Sequence, residues 1–296
     1  MNRRAFGQLA LGAAISQLLP QAEAQGTISL KEPRFSVMLW TIEKQASFER
    51  CIEIVRDAGY QGIELVGEFQ KWSVEETQQI MAKMRDAGLV FDTLSGVKAG
   101  FADPDGGAEL MTELTTQFRY AKELGSPQVI LKSGPRIPGK SAQDQHSASI
   151  ENLKRVADFA AKNDIEIVIE PIDPIENPTI FMTSVTEGFE IVRAVGNPHV
   201  KLLYDFYHEQ RAYGNLIEKL ENYIDLIGLV HIADVPGRHE PGTGEIDYTN
   251  ICRKLGELKY SKYITMEFYP TQDPVATLKA ARLAALQVVH QSGSIA

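Results

Sequence analysis

The sequence has little cysteine. Only Cys51 and Cys252 occur in 296 residues, too few for a disulfide framework, which removes the small cross-linked scaffolds from consideration. Basic charge is not in excess either: 30 lysines and arginines against 39 aspartates and glutamates leave a formal net charge of −9. That balance argues against a nucleic-acid partner, because duplex binding relies on clustered cations that displace counterions from phosphates. Beyond Gln25 no apolar run reaches membrane-spanning length, and no low-complexity tract or block of like charge marks a linker. Residues 25–296 are therefore expected to form one domain, long enough for a single large core. No glycine-rich phosphate turn follows the first strand-like run, which excludes a dinucleotide-binding unit there, and no nicotinamide, flavin or phosphate motif is needed or found.

What is present begins with a segment that has the layout of an export signal. Arg3 and Arg4 supply a positive start, a moderately apolar stretch follows, and Ala22-Glu23-Ala24 offers small residues around a cleavage point before Gln25. The adjacent arginines resemble a twin-arginine signal. Residues 1–24 are thus expected to be a cleavable signal peptide and the protein to be periplasmic or otherwise exported. An ordinary secretory signal or an uncut anchor is the alternative.

Along the rest of the chain, short β-branched or aromatic runs alternate with helical patterns, the order of parallel strands joined by crossover helices. Eight runs are predicted as strands: 35–40, 62–66, 89–94, 128–132, 166–170, 200–205, 227–232 and 263–268. Helix punctuation lies between them. Ser73 with Glu76 and Ser184 with Glu187 have capping-box spacing, Phe48, Cys51, Ile52 and Val55 share a helical face closed by Gly59, and Asp273-Pro274 is a helix start. Eight such units predict an α/β fold, a closed (β/α)8 barrel, with a doubly wound open sheet as the alternative. The two cysteines fall on helices that are not neighbours in such a barrel, so no bridge between them is expected.

Barrel enzymes place their chemistry at the C-terminal ends of the strands. Glu170, Asp205, His231 and Glu267 end or nearly end successive runs, at intervals of 35, 26 and 36 residues, each fitting one strand-helix repeat. Three carboxylates brought that close repel one another unless a cation lies among them. Oxygen ligands with one imidazole suit a single divalent ion, Mn2+, Mg2+, Co2+ or Zn2+. Taken singly, each acid could equally be a helix cap and the histidine a satisfied core group. Their matched positions on four successive strands favour the metal.

Around them, His208 stands three residues beyond Asp205 and is a candidate for a substrate oxygen, against a plain surface-loop histidine. The stretch 234–248, DVPGRHEPGTGEIDY, reads as a substrate-covering loop. Within it Arg238 could clamp an oxyanion or carboxylate, or pair with Glu240 or Asp234 to stiffen the loop. Lys132 and Glu64 are further candidates for substrate contact, set against structural salt bridges. Trp40 is expected as an apolar wall and Trp72 as packing.

The segments LLYDFYHEQ, IGLVHIADVPGRHEPGTGEIDY and ITMEFYP closely resemble the hydroxypyruvate isomerases of the xylose-isomerase-like barrel superfamily, and the resemblance runs over about residues 34–290. It implies a metal held by Glu170, Asp205, His231 and Glu267, with the two glutamates as the proton-transfer pair acting on a small hydroxy-carbonyl or sugar substrate. The chain departs from the pattern at His231, where some hydroxypyruvate isomerases have glutamine. Histidine there, with His208 and Arg238, is similar to the ketose 3-epimerases of the same superfamily. Export is a second departure. The expected reaction is enediolate proton transfer that converts hydroxypyruvate to tartronate semialdehyde, with ketose 3-epimerisation, polyol dehydration or non-catalytic carbohydrate binding as alternatives. A nuclease on this scaffold is disfavoured by the acidic charge. A homo-oligomer is compatible with this reading, and no membrane association is expected once the signal is removed.

Overall fold

A computed structural model describes residues 32–44 and 46–293. The signal-like segment 1–24 lies outside the described residues. Eight strands, β1 (Arg34–Met38), β2 (Gly62–Val66), β3 (Val90–Ser95), β4 (Gln128–Lys132), β5 (Glu166–Glu170), β6 (Val200–Asp205), β7 (Ile227–Ile232) and β8 (Tyr263–Met266), pair in parallel in sequence order and close β8 onto β1. The closed barrel, not the open sheet, is the architecture.

The helices are α1 (Trp40–Glu43), α2 (Phe48–Asp57), α3 (Val74–Ala87), α4 (Gly107–Leu124), α5 (Ala142–Asn163), α6 (Val185–Val195), α7 (Phe206–Ala212), α8 (Leu216–Tyr223), α9 (Tyr248–Glu257) and α10 (Pro274–Gly293). Several start where side-chain oxygens replace the missing acceptors of the first turn. Ser73 and Glu76 form a complete capping box on α3, and Asp273 accepts the Ala276 N–H at 2.9 Å. Ser184 caps α6 through the Thr186 N–H, but Glu187 does not close the box expected of it. Its carboxylate instead lies 3.2 Å from His146 Nδ1 on α5. Gly59, with φ of 82°, turns the chain out of α2 by donating its N–H to the Arg56 carbonyl.

Strand ends differ from expectation at two places that matter. β1 stops at Met38, so Trp40 opens α1, and β8 stops at Met266, so Glu267 stands just beyond it, its N–H bonded to the Ile232 carbonyl at 3.0 Å. Cys51 and Cys252 are buried and free, on α2 and α9, and α10 packs against both of those helices. Burial pushes the Cys252 thiol up to about 12, which leaves it protonated and unreactive.

The barrel interior is divided. One side is filled by Met38, Ile130, Val168, Leu203, Leu229 and Tyr263 with Trp40 against them. The other, on β1, β2, β3, β7 and β8, holds buried polar side chains: Ser36, Glu64, Asp92, His231 and Thr265, each at most 1 % exposed. Such burial is stable only when those groups satisfy one another.

Candidate active site

The four side chains singled out at the strand ends converge at one mouth of the barrel. Glu170, Asp205, His231 and Glu267 are all buried, and each offers a ligand atom within 4.8 Å of the others. Asp205 divides its two oxygens. Oδ1 accepts the N–H groups of Tyr207 at 2.7 Å and His208 at 3.2 Å and so caps α7, while Oδ2 is buried without any hydrogen bond among the described residues. The helix-cap reading of this residue is met by Oδ1, and Oδ2 is the oxygen left to the site reading. An orphaned anionic oxygen is costly to bury, and the charges nearest to Oδ2, Arg238 Nη2 and His208 Nε2, are each 3.6 Å away. A divalent ion among these donors would satisfy it, so the donor set fits a metal that prefers oxygen and imidazole ligands.

The two glutamates are unlike each other. Glu267 Oε2 lies 2.8 Å from Arg238 Nη2 and 2.7 Å from His231 Nδ1. Burial would raise its pKa, but Arg238 and then His231 outweigh that and hold it well below the usual carboxylate range. Glu170 has no ion pair among the described residues; burial, with the Glu267 charge beside it, pushes its pKa up to about 7. Lys132, paired in register with Glu170, opposes that rise from an exposed position. Lys132 makes no ion pair among the described residues, so the salt bridge considered for it is not formed.

His231 is gripped from behind. Its Nε2 is 3.1 Å from Glu64 Oε2, and Glu64 is fully buried. Glu64 therefore touches the site through His231 and does not line the mouth where a substrate would enter. A carboxylate behind a ligating histidine fixes its ring and leaves the other nitrogen for a cation.

His208 is not a surface-loop residue. It lies on α7, is 3 % exposed, and its Nδ1 is 2.7 Å from Asp173 Oδ2. Burial disfavours its charged form, yet Asp205 and Asp173 together raise its pKa. Arg238 is buried as well. Its Nη1 donates to both oxygens of Glu176 at 3.0 Å, and its Nε donates to the Glu267 carbonyl at 3.3 Å. The pairing considered with Glu240 or Asp234 is corrected by these partners. Glu240 receives Thr271, and the Asp234 carboxylate is taken up by the N–H groups of Val235, Gly242, Gly244 and Ile246, which tie the long loop to β7.

Trp40, expected as an apolar wall, opens α1 beside the mouth residue Arg238. It stands edge-on to Tyr269 at 5.2 Å, with the Arg238 guanidinium 5.3 Å from its ring. Trp72 packs between Phe48 and Phe91. Sequence reasoning missed Asp173, Glu176 and Arg211. Arg211 Nη1 lies 3.2 Å from Asp173 and 3.3 Å from Glu176, so this second acidic group is already neutralised by arginines. The signal was available in the acids of DPIENP, directly after β5.

The sequence matches the family described as xylose isomerase-like TIM barrel over residues 52–286. Among curated relatives, hydroxypyruvate isomerase of Escherichia coli K12 is 28% identical over 251 residues, covering 83% of this chain and 97% of that protein. The 2-oxo-tetronate isomerase of Pectobacterium atrosepticum is 29% identical over 247 residues, covering 80% and 92%. Among solved structures, the IOLI protein with a zinc atom superposes with a TM-score of 0.74 at 20% identity, covering 88% of this chain and 99% of that one. The chain belongs to the xylose isomerase-like TIM barrel family.

Proposed function

We propose that this protein is a metal-dependent isomerase of small hydroxy-carbonyl compounds, with hydroxypyruvate to tartronate semialdehyde as its first candidate reaction. The observation that carries the reading is the convergence of Glu170, Asp205, His231 and Glu267 around the unpartnered Asp205 Oδ2. Two curated relatives named as isomerases, similar over most of the chain, support it.

Glu170, Asp205, His231 and Glu267 would hold the ion. When bound, it supplies Lewis acidity that makes a proton on the carbon beside a carbonyl removable. Glu170 makes no ion pair among the described residues, whereas Arg238 and His231 occupy Glu267, so Glu170 is the better first acceptor of that proton. Glu267, held as an anion by Arg238 and His231, faces the substrate from the other side. Returning the proton to the adjacent carbon is isomerisation; returning it to the same carbon from the opposite face is epimerisation. His208 and Arg238 orient substrate oxygens, and Trp40 and Tyr269 limit water.

The buried His208, poised at the mouth beside the donor set, favours ketose 3-epimerisation as the second reading. We also propose export, on the strength of the arginine pair and the small residues before Gln25. The test is incubation of metal-loaded protein with hydroxypyruvate and with ketoses in D2O. Deuterium entering carbon of a product that is otherwise an isomer of the substrate is expected; no exchange into any substrate sinks the reading, and loss of water from the product would mark a dehydratase.

A further inference from the structure

Beneath the mouth, five buried polar side chains from five strands form one continuous line. Asp92 Oδ2 is 2.9 Å from Ser36 Oγ, Ser36 Oγ is 2.8 Å from Thr265 Oγ1, Thr265 Oγ1 is 2.5 Å from Glu64 Oε1, and Glu64 Oε2 is 3.1 Å from His231 Nε2. The three oxygen-oxygen contacts from Asp92 to Glu64 each need a proton. The two hydroxyls supply only two. The Thr93 hydroxyl is no substitute: it is 3.5 Å from the same Asp92 oxygen but 2.9 Å from Gln128 Oε1. The third proton must therefore sit on one of the two carboxyl groups.

Geometry decides which. Both oxygens of Glu64 have a donor, Thr265 on one and His231 on the other. Asp92 has a close hydrogen-bond partner for Oδ2 only, and Oδ1 is buried without a partner among the described residues. That atom rests against Gly62, where even a Cβ would come within 2.4 Å of it. An anion so placed is far costlier than a neutral acid. Burial, with Glu64 adding to it, pushes Asp92 well above the carboxylate range, in agreement.

We propose that Asp92 is a neutral acid at the foot of a one-way hydrogen-bond chain, Asp92 to Ser36 to Thr265 to Glu64, which leaves both Glu64 oxygens accepting and holds the proton of His231 on Nε2. Nδ1, which shares a proton with Glu267 Oε2 at 2.7 Å in the metal-free protein, is then the nitrogen that a cation would take over by displacing that proton. Asp92, Ser36 and Thr265 are positioning residues that act through Glu64. Only the final link, from His231 to a cation, rests on the metal reading above.

Three measurements test the chain. Metal-free protein carrying carbon-13 in its aspartate carboxyl groups is examined by infrared spectroscopy at neutral pH. A label-sensitive band of a protonated carboxylic acid is expected, and it should vanish in Asp92→Asn. Its absence from the wild-type spectrum overturns the proposal whether or not any variant folds. Zinc chloride is then titrated into metal-free protein. Ser36→Ala, which cuts the line in the middle, should bind zinc about tenfold more weakly. Asp92→Asn, whose amide can donate in place of the acid, should stay close to wild type. Nitrogen-15 spectra of the zinc-loaded wild type should show His231 protonated at Nε2, and a proton on Nδ1 would refute the stated direction. Unchanged zinc affinity in a folded Ser36→Ala overturns the link to His231. If the wild type takes up no zinc but shows the acid band, the metal reading fails and the neutral Asp92 stands.

Discussion

Asp173 Oδ2 lies 2.7 Å from His208 Nδ1, and both side chains are buried. Arg211 reaches the same carboxylate at 3.2 Å, so Asp173 is held as an anion and in turn fixes the imidazole with Nε2 directed at Asp205 Oδ2, 3.6 Å away. A carboxylate behind a histidine sets its tautomer and its orientation. Asp173→Asn keeps the volume but removes the charge. We expect a fall of about tenfold or more in kcat/KM, about 1.4 kcal/mol of transition-state stabilisation, with the zinc affinity little changed. Undiminished kcat/KM would show that His208 needs no such support.

The unlike glutamates give opposite signatures in the metal-free protein. Both Glu170→Gln and Glu267→Gln should abolish turnover, because each removes a proton acceptor. At neutral pH and above, Glu170→Gln should raise the melting temperature of the metal-free protein, since an unpaired buried carboxylate that resists ionisation is removed. Glu267→Gln should lower it, because Arg238 and His231 lose their common partner. Thermal melts after chelator treatment check both signs; near-normal turnover in the two variants would refute their catalytic assignment.

The pH dependence follows from the raised Glu170. In the folded metal-free protein its pKa is pushed up to about 7 from the ordinary 4.5, so between those values the folded state holds more protons than the unfolded one. Stability therefore falls as pH rises from about 4.5 to about 7 and gains nothing from Glu170 beyond that. His231, raised well above 6.5, adds a slope of the same sign at higher pH. Glu68, also pushed up to about 7, chiefly by burial, adds another and is removed from the comparison by Glu68→Gln. A metal must displace the proton on Glu170, so its affinity should drop below pH 7. Calorimetry of zinc binding in buffers of different ionisation enthalpy would reveal the released proton; a pH-independent affinity contradicts the assignment.

Asp234 is the anchor of the loop that carries Arg238. Its two oxygens accept four backbone N–H groups, and Arg238 keeps a positive φ of 57° within that frame. Asp234→Asn offers one oxygen where two were used. The amides of Gly242, Gly244 and Ile246 should exchange hydrogen faster while the strands stay protected, and KM should rise as Arg238 loses its placement. Unaltered exchange at those amides would remove the anchoring role.

Much of the barrel was legible because its strands are short apolar runs such as Ile167-Val168-Ile169 with a polar residue at the end, and a parallel strand buried on both faces leaves little else for that pattern to mean. Glu170, Asp205, His231 and Glu267 stood out for the same reason, as polar groups at or near the ends of such runs. The partners around them did not. Glu176 and Arg211 meet Arg238 and Asp173 only through the turn after β5 and the last turn of α7, and chain geometry of that kind is set by tertiary contacts. Ser36, Asp92 and Thr265 were unreadable because a single small polar residue in a strand looks the same whether it faces a helix or the barrel axis. Ser184 shows the converse: the spacing of a capping box was present, but His146 on a neighbouring helix competed for Glu187.

Because one oxygen of Asp205 starts α7 while the other faces the mouth, position 205 serves architecture and chemistry at once. Swapping it for a residue of different charge to retune the ion would also unpin the helix that presents Tyr207, His208 and Arg211. Adaptation toward new substrates is thus freer at the rim, among Trp40, Glu176 and Tyr269, than at this hinge between the wall and the proposed ion site.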